Sequence, residues 1–76
     1  MTKVPSVNYP DVIAAFERAG WRVVRQKGSH IRVERATEAG TSKLTIPAHK
    51  PIKRSTLAKL LKDAELDVQE FIRLLR

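Results

Sequence analysis

Apolar residues recur at helical spacing near the start of the chain and then switch to alternation. Tyr9, Val12, Ile13 and Phe16 fall at i, i+3, i+4 and i+7, and Ala19 extends the stripe, which predicts one amphipathic helix. Asn8 or Tyr9 stands at its N-cap and Pro10 in its first turn, where the missing N–H does no harm. Asp11 suits the positive end of the helix dipole, and Gly20 ends the helix as a residue able to take positive φ. Residues 1–8 read as a loose lead-in.

Residues 21–27 read as a strand, Gly28 marks a tight turn, and residues 29–34 alternate as a second, antiparallel strand. Residues 38–42 read as a turn, and residues 43–46 as a short third strand closed by Pro47. A basic loop containing Pro51 follows. A second helix is expected near Ser55, which can cap it, with Leu57, Leu60, Leu61 and Ala64 on its apolar face. Asp67 and Glu70 have capping-box spacing and open a short third helix carrying Val68, Phe71, Ile72 and Leu75. The order helix, three strands, helix, short helix is an α+β domain: a three-stranded antiparallel sheet with helices on one face and the other face open.

The alternation of the second strand has a consequence. Ile31 and Val33 point to one face, so His30, Arg32 and Glu34 point to the other. With the apolar side inward, His30 stands on the open face beside cations.

The chain of 76 residues makes a single domain, 1–76, with a modest core. Without Cys it has neither disulfides nor a Cys-based zinc site, which fits a reducing cytosol. No apolar run approaches the roughly 18–20 residues of a membrane span, and the start lacks a signal-peptide pattern, so a cytoplasmic protein is expected. The net charge of +7 is segregated. Residues 21–35 carry Arg22, Arg25, Lys27, Arg32 and Arg35 against Glu34, and residues 43–62 carry Lys43, Lys50, Lys53, Arg54, Lys59 and Lys62 with no acid. That segregation favours a polyanion partner, nucleic acid above all, over a merely solvated surface.

Candidate chemistry centres on the run Arg25-Gln26-Lys27-Gly28-Ser29-His30. Metal-free RNA cleavage uses the 2′-OH as nucleophile and needs a base, an acid and cations at the phosphate. Imidazole, with an unperturbed pKa of about 6.5, suits either proton transfer. Arg25, Lys27 and Arg32 can hold the phosphate, and turn amides at Gly28 and Ser29 can add donors. The plainer readings are a phosphate-binding or solvent-facing His30, a hairpin Gly28 and a turn or packing role for Ser29. His49 is either a second acid–base group or phosphate contact, or a loop residue; Lys50, Lys53 and Arg54 extend the candidate RNA surface. The basic stripe of Arg54, Lys59 and Lys62 is an exposed face or a backbone clamp. Trp21 fills the core in preference to stacking on a base. No cofactor and no metal site is expected, since the two histidines and scattered acids lack ligand spacing.

These residues resemble a known family. Ala19-Gly20-Trp21 after the first helix, the run Arg25 to His30, Pro47-Ala48-His49 at the end of the third strand, and Thr56-Leu57 opening the second helix are similar to the HicA toxins of HicAB toxin–antitoxin systems. The likeness runs from about Val7 to Leu75. It departs from the family pattern at Ser55, where Gly is usual, and in the continuation from Asp67 to Arg76. The resemblance implies a double-stranded-RNA-binding-like α-β-β-β-α fold and a toxin that cleaves messenger RNA with His30 as catalytic residue. It also implies a cognate HicB-like antitoxin that covers the active face and alone contacts operator DNA. A non-catalytic RNA-binding module of the same fold is the alternative.

Overall fold

The computed structural model describes residues 3–76. Its elements are α1 (Tyr9–Arg18), β1 (Arg22–Lys27), β2 (His30–Thr37), β3 (Gly40–Pro47), α2 (Arg54–Asp63) and α3 (Val68–Leu74). The strands form one antiparallel sheet in the order β1-β2-β3, so β2 is paired on both sides. This is the α-β-β-β-α order expected, with the additional C-terminal helix.

β2 and β3 are longer than the alternation predicts. Gly40, Thr41 and Ser42 are not part of a turn but pair with Thr37, Ala36 and Arg35, leaving Glu38 and Ala39 to make the reversal. These outer rungs lie beyond the apolar core, so no hydrophobic pattern marks them; ladder hydrogen bonds hold them, and the Thr37 hydroxyl donates to the Gly40 carbonyl at 2.8 Å.

The expected Ser55 cap is also corrected. Lys53 occupies the N-cap of α2 without a side-chain cap bond, and Ser55 lies within the first turn. The helix starts early because Ile52 is buried immediately before it, and its backbone N–H donates to the Val7 carbonyl at 2.9 Å. At α3 the Asp67 carboxylate does accept from the Gln69 N–H, while Glu70 pairs with Arg73 one turn on.

Both longer helices stop in the same way. At the end of α1, Gly20 N–H bonds to Glu17 and Trp21 N–H to Phe16, a Schellman motif with Gly20 at φ 97°. The Trp21 and Phe16 rings then meet at a centroid distance of 5.9 Å, the apolar contact that accompanies the motif. After α2, Glu65 N–H bonds to Lys62 and Leu66 N–H to Leu61, and here the left-handed position is held by Glu65 at φ 55°.

The core lies between the helices and one face of the sheet. Val12, Ala15 and Phe16 from α1, Ile31 and Val33 from β2, Ile46 from β3, and Leu57, Leu60 and Leu61 from α2 are buried together. Trp21 is buried as expected, with the Arg35 guanidinium 5.2 Å from its ring centroid. α3 completes this core: Phe71 is fully buried and meets Phe16 edge-on at 6.3 Å. The lead-in is irregular but tied down, with Val4 and Val7 packed against the core; residues 1–2, also assigned to it, lie outside the described residues.

Two substitutions test the helix stops. Gly20→Ala forces a Cβ into positive φ and is expected to destabilise the domain by about 1–2 kcal/mol. Glu65→Gly removes the same strain and is expected to stabilise it by about 0.5–1 kcal/mol. Denaturant midpoints measure both; equal stability of Glu65→Gly and the parent would contradict the strain argument.

Candidate functional site

The outer face of the sheet is set by register. Ile31 faces Ile46 and Val33 faces Leu44 on the inner side. On the outer side Arg32 faces Thr45 and Glu34 faces Lys43 across β2 and β3.

A bulge in β1 adds the cations to that face. Arg22 pairs with Glu34 and Val23 with Val33, but Arg25 then pairs with Arg32, so Val24 is the extra residue. Without it the two-residue period would carry Arg25 to the inner side opposite Ile31. With it, Arg25 opposes Arg32 and Lys27 opposes His30, all outward. Val23 and Val24, 41% and 39% exposed, are the large apolar residues this edge leaves uncovered.

The turn that delivers His30 is a two-residue loop, Gly28-Ser29, closed by the Lys27–His30 pair. Gly28 takes φ 58° with open space around its Cβ position, the arrangement of a hairpin with Gly first in the loop. The Gln26 amide nitrogen donates to the Gly28 carbonyl at 3.2 Å. From the other side, Ala48 N–H donates to the Ser29 carbonyl at 2.7 Å, and Tyr9 N–H to the His49 carbonyl at 3.1 Å. The hairpin tip is therefore anchored to the loop after β3, and that loop to the start of α1.

These elements bring Arg25, Lys27, His30, Arg32 and Thr45 around one open hollow of about 410 Å³. The sequence-predicted residues Arg25, Lys27, His30 and Arg32 are thus assembled, with Gly28 and Ser29 forming the turn between Lys27 and His30. The other candidates are not among its lining. His49 is exposed on the anchoring loop, Lys50 has its ammonium 5.7 Å from the Tyr9 ring centroid, and Lys53 and Arg54 are exposed at the start of α2. Thr45 was missed, although its alternation with the inward Leu44 and Ile46 carries the signal. Chemically, an exposed imidazole can exchange protons with solvent, and the surrounding cations can hold an anion. Among the described residues no group of three or more His, Cys, Asp or Glu could hold a metal ion. No described helix is long and apolar enough to cross a membrane.

A comparison with known families fits this arrangement. The sequence profile of the HicA toxin of bacterial toxin-antitoxin systems matches residues 9–66, from the first residue of α1 to just past α2. The chain belongs to the HicA toxin family. It is accordingly the toxin of a toxin–antitoxin system, with an antitoxin as partner. Comparisons with curated proteins and with solved structures gave no match. In this HicA chain the whole hollow falls within the matched residues, whereas α3 lies beyond them.

The hollow is assembled against electrostatic resistance. Arg25 and Arg32 are directly opposed, and like charges at such positions destabilise a sheet by about 0.2–1 kcal/mol. Arg25→Thr is therefore expected to raise stability by that amount at low salt, with the gain shrinking as salt screens the pair. Thermal unfolding at two ionic strengths measures this, and a loss of stability at low salt would refute it.

Proposed function

We propose that this HicA-family toxin cleaves messenger RNA without a metal, with His30 as the acid–base residue. The observation that carries the reading is the shared hollow in which His30 is ringed by Arg25, Lys27 and Arg32.

In this reading the cations take the non-bridging oxygens of one phosphate and place the adjacent ribose at His30. The imidazole accepts the 2′-OH proton as that oxygen bonds to phosphorus. The bond from phosphorus to the 5′ oxygen breaks, the departing oxygen takes a proton from water in the open hollow, and the hydroxide left behind takes the proton held on the imidazole, which restores His30. The products are a 2′,3′-cyclic phosphate and a free 5′-hydroxyl, so all atoms are accounted for without a co-reactant. Arg25, Lys27 and Arg32 stabilise the charge that builds on the phosphorane. Gly28 and Ser29 keep the turn low beside the phosphate, while His49, Lys50, Lys53 and Arg54 supply outlying contacts to the RNA backbone.

The antitoxin enters through the same charges. A HicB-like partner that silences the toxin has to cover a surface with an excess of cations, so its contact face is acidic in this proposal. Operator DNA is contacted by that partner alone.

Removal of the imidazole is the direct test. His30→Ala is expected to lower RNA cleavage by about 10²–10⁴-fold. Because His30 is exposed, stability should change by no more than about 0.5 kcal/mol. The same assay should show full activity in EDTA and cyclic-phosphate or 3′-phosphate ends. Products ending in a 3′-hydroxyl would exclude attack by the 2′-OH. Undiminished RNA binding by a wild-type protein that never cuts would establish the non-catalytic module instead. Arg25, Lys27 and Arg32 together with the outlying Lys50, Lys53 and Arg54 on RNA phosphates further predict that log K for single-stranded RNA falls with log salt at a slope of about −4.

A further inference from the structure

Beside the His30 hollow lies a groove of which the proposed cleavage uses Arg32 alone. It has a volume of about 400 Å³ and runs over the β3 edge to α2, lined by Arg32, Lys43, Leu44, Thr45, Thr56, Lys59, Leu60 and Asp63. Both volumes fall in the range of small-ligand sites. Arg32 and Thr45 line both spaces, so they are adjoining compartments of one surface.

The groove differs from the hollow in kind. No apolar side chain lines the hollow, whereas Leu44 and Leu60 give the groove an apolar floor. Lys43 and Lys59 flank it from opposite elements, and neither makes an ion pair among the described residues, where Glu70–Arg73 is the pair formed. Asp63, one helical turn beyond Lys59, also borders a third recess with Arg35 and Ser42 and so marks the end away from His30. A carboxylate there turns away a phosphate and offers acceptors to an amino group on a base edge. Along β2 the rungs of His30 and Lys43 are four residues apart, about 13 Å at 3.3 Å per residue, too far for one phosphate to touch both.

We infer that this groove is a second nucleotide subsite: Lys43 and Lys59 hold a phosphate flanking the one at His30, Arg32 stands between the two phosphates, and a base rests on Leu44 and Leu60. The ligand is a single RNA strand, since a base has to leave its stack to reach an apolar floor. The inference rests on the ribonuclease reading for its orientation towards the scissile bond. The subsite would make the toxin's affinity depend on nucleotides beyond the bond that is cut.

The test uses full-length His30→Ala protein, which on this reading binds without cutting, titrated with an RNA dinucleotide and an RNA pentanucleotide. The pentanucleotide should bind at least about tenfold more tightly, and should shift the Leu60 methyl resonances through the ring current of the seated base. Lys43→Ala with Lys59→Ala should abolish both the tenfold gain and the methyl shift, with dinucleotide binding within about twofold. Lys62→Ala removes a cation from the same helix but outside the groove, and should leave the gain and the shift in place. Persistence of the gain in the double variant, an equal loss in Lys62→Ala, or an unmoved Leu60 overturns the subsite. Cleavage by the His30 protein is scored separately. A gain lost in the double variant without any cleavage keeps the subsite and removes the catalytic reading; cleavage without the gain does the reverse.

Discussion

The burial of Ile31 and Val33 is the constraint on which the rest of the structure depends. They lie on the central strand, 3% and 1% exposed, and each contributes about 1.5–3 kcal/mol by leaving water. A one-residue slip of β2 would expose both and carry His30 and Arg32 into the core. That penalty fixes the register to both neighbours. With the register fixed, every second residue of β2 is committed to the outer face. The hollow and the adjoining groove are therefore consequences of packing on the opposite side of the sheet.

Such a sheet in so small a chain has little stability to spare, and its outer face contributes almost none. Opposed arginines weaken the very hairpin that presents His30. Compensation comes from elements that touch nothing on the outer face. α3 inserts Phe71 beneath Phe16, the Schellman turn after α1 seats Trp21, and Ile52 ties the loop after β3 to the lead-in. The C-terminal extension departs from the family pattern in sequence, yet its place in the core is as deep as that of α1. Charge and core are thus segregated across the sheet, and the core holds the charges where they repel.

Much of this was legible in the residues. The helical stripes of α1 and α2 and the alternation of β2 depend on period alone, and period placed Val12, Phe16, Leu57, Leu60 and Leu61 inside and His30 outside. Gly20 announced its own φ. What was illegible had no hydrophobic or conformational marker. The outer rungs of the β2–β3 hairpin carry no large apolar residue, so Thr41 and Ser42 resemble a turn until their pairing is seen. Glu65 in a left-handed conformation follows from the backbone bonds that end α2, not from its own preference. Lys53 displaced Ser55 from the cap because the burial of Ile52, a tertiary event, decides where the helix begins. At the site, the cations nearest His30 in sequence are those that line the hollow with it. The more distant His49 and Lys50 belong to a loop, and Lys53 and Arg54 to the start of α2, whose positions are set by backbone bonds that leave no mark on the sequence.

The bulge at Val24 shows most clearly how composition and geometry part company. Arg25 and Lys27 stand at odd positions on their strand, as do the inward Val23 and, across the sheet, Val33. Strict alternation from Val23 would turn both cations to the inner side, Arg25 opposite Ile31, and away from Arg32 and His30. Inserting one residue brings them outward, since it reverses the faces for the rest of the strand at the expense of a single ladder position. The paired valines, Val23-Val24, are the trace of that reversal: one belongs to the inner side, the other to the bulge. Bulges re-aim side chains wherever a sheet edge has to serve something other than its own core. Here the bulge turns an edge strand whose cations would have faced away from β2's outer side chains into one wall of a cation-lined hollow around a histidine.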